Sequence, residues 1–295
     1  MVVNSLTRFL YLLPLISMLC LFPLASYASP TKTVETNSAN VLEFNWLDNP
    51  STLTIAQEGL TFISTISTQG LNPEDYQSTL LSQQFQLATT PLARQQFNRL
   101  FTQNLLSLIH DLKVGRQVAI DADPDWFIPQ KHFDAKAFLQ HALDSQHLQA
   151  HLNQLIPTDA EYQTLVKALA RYRHYDSQGG WPIIPPTPKL KVGAQHPNIP
   201  LIQSRLAFED SLFAMTHTVT PDLYDPLMEQ AVKRFQARYH LKVDGVIGKN
   251  TFNALNKSAK SHVQLLEVNL ERRRWMPDDL GERYVLINLA DFRLR

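Results

Sequence analysis

Cysteine is nearly missing from this chain: Cys20 is the only one among 295 residues. A lone thiol cannot close an intrachain disulfide, and a zinc site built on thiolates needs several. A charge excess is missing too. Lysine plus arginine and aspartate plus glutamate number 27 each, which argues against an extended nucleic-acid or acidic-surface partner. Catalytic templates that can be read from spacing are also absent. The ten histidines are scattered, with no H-E-x-x-H or comparable metal spacing, and there is neither a G-x-S-x-G elbow nor a phosphate-binding glycine loop. Asp121, Asp123 and Asp125 alternate around Pro124 but lack the glycine and the closing glutamate of a calcium loop, so they read as a capped loop. No metal and no cofactor is expected.

What is present starts with an apolar leader. In residues 1–28 Arg8 is the only charge, Phe9 to Leu24 is almost continuously apolar, and Ser26-Tyr27-Ala28 puts small residues at the cleavage positions. That pattern predicts a secretory signal peptide cut after Ala28, leaving no stable membrane anchor. The alternative is an uncleaved anchor, because the run could nearly span a bilayer. Leu19 before Cys20 argues against a lipoprotein signal. Removal of the leader takes away the only thiol and leaves 26 basic against 27 acidic residues. The mature chain then has to hold together by helix packing.

Residues 29–50 read as a polar, flexible lead-in, and residues 51–180 as an all-helical domain. Leu53, Ala56, Leu60 and Ile63 keep helical spacing, with Gly70 as a natural stop. Asn72-Pro73-Glu74-Asp75 predicts a restart, with cap, proline and acids in the order the helix dipole favours. Thr90-Pro91 opens a longer helix carrying Phe97, Leu100, Phe101, Leu105, Leu108 and Ile109 on one face, ending near Gly115. Thr158 and Glu161 have capping-box spacing ahead of Tyr162, Leu165, Val166, Leu169 and Tyr172. Prolines 182, 185, 186 and 188 then break the pattern, and residues 181–198 read as a stiff linker.

The most structured signal is Tyr224 to Asn256. Asp225 caps and Pro226 begins a helix whose Leu227, Ala231, Val232, Phe235 and Tyr239 form an apolar stripe. Val243-Asp244-Gly245-Val246-Ile247-Gly248 turns the chain, and a closing helix from Lys249 places Phe252 and Leu255 inward. These residues, AVKRFQARYHLKVDGVIGKNTFNAL, resemble the peptidoglycan-binding domain carried by many cell-wall enzymes, with IPLIQSRL (Ile199 to Leu206) as its first helix. The domain is assigned to residues 199–258, with a loop from Phe208 to Thr220. The resemblance implies a groove near the glycine turn, with Gln236, Tyr239, Asp244 and Thr251 as candidate polar contacts. Residue by residue, packing and turn formation are the competing explanation.

Residues 259–282 read as a helix and connector. Val263, Leu266 and Leu270 point inward, and Arg272, Arg273 and Arg274 form a solvated cluster at the negative dipole end rather than an anion site. Residues 283–295 switch to β-rich patterning around Tyr284 to Leu289 and Phe292 to Leu294, with no further strands to complete a sheet. They are expected to be loosely packed.

The whole order, with GLNPEDY (Gly70 to Tyr76), DLKVGR (Asp111 to Arg116), GGWPIIP and NLERRRWMPDDLGERYVLINLADFRL, resembles the N-terminal part of the large Gram-negative murein L,D-transpeptidases. The resemblance implies a scaffold domain and a peptidoglycan-binding-like domain, truncated at the start of the catalytic domain. That family uses a cysteine nucleophile and a neighbouring histidine in an S-H-G-C segment, which this sequence does not contain, so no catalytic residue is carried over. Two functions are therefore expected. One is a periplasmic peptidoglycan-binding protein, catalytically incomplete as given; the other is part of an active L,D-transpeptidase making 3-3 cross-links, if a longer product exists. Partners implied are peptidoglycan and other cell-wall enzymes, with the fold mainly α: a helical scaffold domain, a small three-helix domain and an incomplete β segment.

Overall fold

A computed structural model of the chain describes residues 44–117, 121, 128–129, 131–216 and 222–278, and the backbone of 287–288 and 293–294. The leader 1–28, the lead-in through residue 43, Asp123 and Asp125 lie outside the described residues; Asp121 is exposed. The fold is mainly helical, as the periodicity predicts. Its contacts divide the described helical chain into two units, one of residues 44–170 with 266–278 and the other of residues 171–265.

In the first unit, helix α1 (Pro50–Thr65) starts at a reciprocal cap. The Asn49 side chain accepts from the Ser51 and Thr52 amides, and Thr52 Oγ1 accepts from the Asn49 N–H. A 3₁₀ turn, Ile66–Gln69, ends at Gly70 with φ of 76°, the left-handed stop that favours glycine. The restart at Asn72-Pro73 is shorter than its spacing predicts, a single 3₁₀ turn (Pro73–Tyr76) before α2 (Ser78–Leu87). Helix α3 (Pro91–Lys113) begins at Thr90, whose hydroxyl accepts from the Ala93 amide. It is followed by α4 (Ala135–Asp144), capped by Asp134, and α5 (Leu148–Gln154). Helix α6 (Ala160–Ser177) is capped one residue later than the Thr158 spacing suggests. Asp159 Oδ1 accepts from the Tyr162 amide at 3.0 Å.

The predicted stripe of α3 is the centre of this unit, with Phe97, Phe101, Leu105, Leu108 and Ile109 all fully buried. Gly59 of α1 faces it, and a Cβ there would stand 2.7 Å from Phe101 Cζ. The absence of a side chain lets the two helices approach. The lead-in does not extend to residue 50. Trp46 is fully buried, its indole N–H donates to Thr102 Oγ1 at 2.8 Å, and its ring meets Phe44 and Phe101 edge-on at 4.5 and 4.7 Å. An indole with a buried partner for its N–H is a core residue, whatever the polarity of its neighbours in sequence.

The last part of α11 (Ala259–Trp275), from Leu266 onward, completes this unit and corrects the reading of its arginines. Arg274 is fully buried rather than solvated. It donates to Glu271 Oε2 at 2.9 Å and to Tyr162 Oη at 3.3 Å, and it also bonds the Gln69 carbonyl. That carbonyl belongs to a helix end whose own turn leaves it without a partner, which is what the guanidinium supplies. Glu271 Oε1 accepts from the Arg116 amide at 2.6 Å and from the Trp275 indole at 3.1 Å. Arg273 pairs with Asp159 at 3.1 Å, and Asp278 with Lys113 at 2.6 Å.

The second unit packs α7 (Ile199–Ala207), α8 (Ser211–Thr216), α9 (Pro226–Arg238), α10 (Lys249–Leu255) and the opening of α11 around Ile199, Ile202, Leu206, Tyr224, Val232, Phe235, Ile247 and Leu255. Three expectations change here. The Phe208–Thr220 loop contains α8, started by Asp210 Oδ1 accepting from the Phe213 amide, with Phe213 buried. In α9, Met228 takes the inward position and Leu227 is 46% exposed. Asp225 Oδ1 holds the Met228 amide at 2.8 Å, which sets the first turn so that Met228, Ala231, Val232 and Phe235 share the buried face. The Pro-rich stretch 181–198 is not a linker. Trp181, Ile184 and Leu190 are buried within this unit. At the C-terminal end, Ile287–Asn288 (β1) pairs antiparallel with Arg293–Leu294 (β2), Ile287 opposite Leu294.

Candidate functional site

The glycine turn between α9 and α10 is built on one amide side chain. Gln236 is 1% exposed, and its Oε1 accepts from the Asp244 and Gly245 amides at 3.1 and 2.9 Å. Its Nε2 lies 3.1 Å from Asp244 Oδ1, 3.0 Å from the Val246 carbonyl and 3.3 Å from Thr251 Oγ1. Asp244 Oδ1 also accepts from the Val246 amide at 2.9 Å, the local turn that aspartate favours. That Val246 N–H holds the Asp244 carboxyl below its ordinary range, with Gln236 and Lys242 adding to it against a smaller opposing effect of burial. Gly245 has φ of 69°, and Tyr224 Oη donates to its carbonyl at 2.6 Å.

Of the four candidate residues, the structure therefore brings Gln236, Asp244 and Thr251 together and leaves Tyr239 apart. The buried amide of Gln236 and hydroxyl of Thr251 are occupied in shaping the turn. Their residue types were readable, but the internal partners that occupy them were not.

Tyr239 belongs to a second cluster around Glu209. Glu209 Oε1 accepts from Tyr172 Oη at 2.5 Å, from Tyr239 Oη at 2.7 Å and from Arg205 Nη2 at 3.3 Å, while Oε2 accepts from Arg238 Nη1 at 3.4 Å. Arg205 lies 3.7 Å above the Trp181 ring and donates through Nε to the Leu255 carbonyl at 3.0 Å. His262 packs 4.8 Å from the Tyr172 ring. Burial pushes its pKa down to about 4, with Lys257 and Arg205 adding to this and Glu209 opposing it. Burial, then the Glu209 charge, raises both tyrosine hydroxyls above their ordinary range. A neutral histidine, two neutral phenols and one carboxylate that accepts from four side chains make a structural cluster.

An open concave surface of this unit lies elsewhere. The Pro-rich stretch is stitched at three places to residues that flank α10. Leu190 and Ile247 exchange backbone hydrogen bonds at 3.1 and 2.9 Å, and the Asn256 side chain bonds both backbone groups of Ile184. The Trp181 indole donates to the Lys257 carbonyl at 3.1 Å. Between this strap and the helix is a cleft of about 510 Å³, lined by Ile183 to Thr187 and Lys189 on one side and by Gly248, Lys249, Phe252, Asn253 and Asn256 on the other. Phe252, expected on the inner side of its helix, packs against the core while only partly buried, and it also lines the cleft. Sequence reasoning missed the cleft because prolines 185, 186 and 188 carry no amide to announce a ladder.

Among the described residues there is no group of three histidine, cysteine, aspartate or glutamate side chains that could hold a metal, and no helix long and apolar enough to cross a membrane. No curated protein matches this chain. Two family models match parts of it: residues 38–169 match a scaffold domain, and residues 195–255 match a peptidoglycan-binding domain. The second match supports a cell-wall-binding role and covers the glycine turn, α7, α9 and α10, but not the strap.

Proposed function

We propose that this chain is a periplasmic peptidoglycan-binding protein, and that its two matched domains are the N-terminal region of an L,D-transpeptidase of the large Gram-negative type. The observation that carries the first statement is the peptidoglycan-binding match over residues 195–255, seated on a unit with an open cleft and no catalytic constellation among its described residues. A wall-binding role needs a preformed surface, and the glycine turn held by Gln236 together with the strap held by Asn256 provides one. The family assignment is supported by the scaffold match over 38–169 followed by the binding match, the order that the sequence resemblance implies. Export through the leader 1–28 would deliver the mature chain to the wall.

The test is co-sedimentation of residues 29–295 with purified sacculi, in competition with soluble muropeptides. Retention that the muropeptides abolish is expected. No retention above that of an unrelated protein of equal charge would overturn the binding role. A second reading, that the chain is part of a longer cross-linking enzyme, is favoured by the resemblance of Asn269 to Leu294 to the segment leading into the catalytic domain. Reading the DNA that follows the Arg295 codon for an S-H-G-C segment decides it.

A further inference from the structure

The cleft between the strap and α10 has a charge and a shape that select among the parts of peptidoglycan. Its lining contains two lysines, Lys189 and Lys249, and no carboxylate. Both are exposed, and neither has an acidic partner among the described residues. Some other cations of the same unit are paired, Lys233 with Glu229, Arg234 with Asp210, and Arg205 and Arg238 with Glu209, so it is the place of Lys189 and Lys249 in the cleft lining that singles them out. The apolar part of the lining is Pro185, Pro186 and the partly buried Phe252, with Ile183 76% exposed. The amide of Asn253 is exposed beside them, with no bond to another described residue.

Peptidoglycan offers two chemistries to such a surface. Its sugars are neutral, because the lactyl acid is consumed in the amide to the peptide. Its carboxylates and its small methyl side chains are on the stem peptide. A cleft whose lining carries two ammonium groups, no carboxylate and an apolar surface complements the second. The volume of about 510 Å³ falls in the range of roughly 300–1,000 Å³ typical of clefts that hold a small ligand. The prolines fix the strap in an extended form before any ligand arrives, which lowers the ordering cost of binding.

We propose that this cleft binds the stem peptide of peptidoglycan, with Lys189 and Lys249 pairing its carboxylates and Phe252 and the strap prolines receiving its methyl groups. The inference rests on the wall-binding reading above. It places the specificity-determining surface partly on residues 183–189, outside the matched domain.

The test uses the full mature chain and the double variant Lys189→Gln, Lys249→Gln, with circular dichroism to check that both fold alike. Two probes are titrated: the soluble tetrapeptide L-Ala-γ-D-Glu-meso-diaminopimelate-D-Ala, and oligomers of N-acetylglucosamine, a glycan that carries no carboxylate. The wild-type chain should bind the tetrapeptide in a salt-dependent manner, and the double variant about tenfold more weakly, as the loss of two exposed ion pairs implies. Unchanged tetrapeptide affinity in the variant overturns the cleft assignment while leaving wall binding intact. So does binding of the wild type to the neutral glycan oligomers and not to the tetrapeptide. A wild-type chain that binds neither probe nor sacculi overturns the wall-binding reading itself, and this inference with it.

Discussion

Replacing Glu209 by glutamine perturbs the charge at the centre of the second unit while keeping its volume. The carboxylate is buried and gathers Tyr172, Tyr239 and Arg205 on one oxygen and Arg238 on the other. Burial alone would raise its pKa. Arg205, the two hydroxyls and Arg238 outweigh burial and hold it below its ordinary value. Arg205 is itself fully buried, so the variant leaves a guanidinium without its counter-charge. Breaking one side of a buried pair costs roughly 3–5 kcal/mol. The amide oxygen that remains can still accept, restoring about 1 kcal/mol, which leaves a loss on the order of 3 kcal/mol. Amide exchange along α9, which carries Phe235 and Arg238, reads this locally, and that loss lowers protection roughly 150-fold. The pH dependence has a definite sign. A carboxyl whose folded pKa lies below the unfolded value of 4.5 stabilises fully above that value and loses its contribution as pH falls through the folded pKa. The gap between wild type and variant should therefore close in acid. Equal protection at neutral pH would refute the assignment of the pair as a stabilising contact, and a gap that persists unchanged into strong acid would show that the charge is not its source.

His262→Phe should flatten the stability of the same unit between pH 6.5 and 4. In that window the unfolded chain takes up a proton that the buried imidazole, depressed to about 4, refuses, so the wild type loses on the order of 3 kcal/mol on acidification. Urea titrations at three pH values measure it, and parallel curves for the two proteins would be the contrary result. Gly59→Ala forces a methyl to within 2.7 Å of Phe101 and should destabilise the first unit by about 1–3 kcal/mol, seen as a lower Tm. Arg274→Ala removes the partner of the Gln69 carbonyl and of Glu271, and should cost roughly 3–5 kcal/mol, whereas a solvated arginine would lose less than about 1 kcal/mol. Thermal unfolding distinguishes the two.

Much of the helical architecture is legible in sequence because its signals are local. Asn72, Thr90 and Asp225 each cap within three residues of themselves, and Gly70 stops a helix by its own backbone angle. Features that depend on a distant partner are not legible. Arg274 reads as solvated because the Gln69 carbonyl that receives it lies 205 residues away. Trp46 reads as lead-in because Thr102 is 56 residues on. In the candidate site the residue types Gln236, Asp244 and Thr251 mark the turn, but their occupancy by one another is a property of the folded turn. The strap is the largest omission: proline spacing signals a break in regular structure and says nothing of what the broken segment lies against.

Those long separations set an order of events during synthesis. Trp181 and Ile184 leave the ribosome 76 and 72 residues ahead of Lys257 and Asn256, the residues that receive them. At about 5–20 residues per second, that interval lasts roughly 4–15 s, with an indole and an isoleucine waiting uncovered. The first unit waits longer still, since the Gln69 carbonyl is answered only by Arg274. Neither unit can finish before residues 259–275 are made, so domains that look like beads in sequence share a step of maturation. Such a chain has most need of chaperone protection until residues 259–275 have been made.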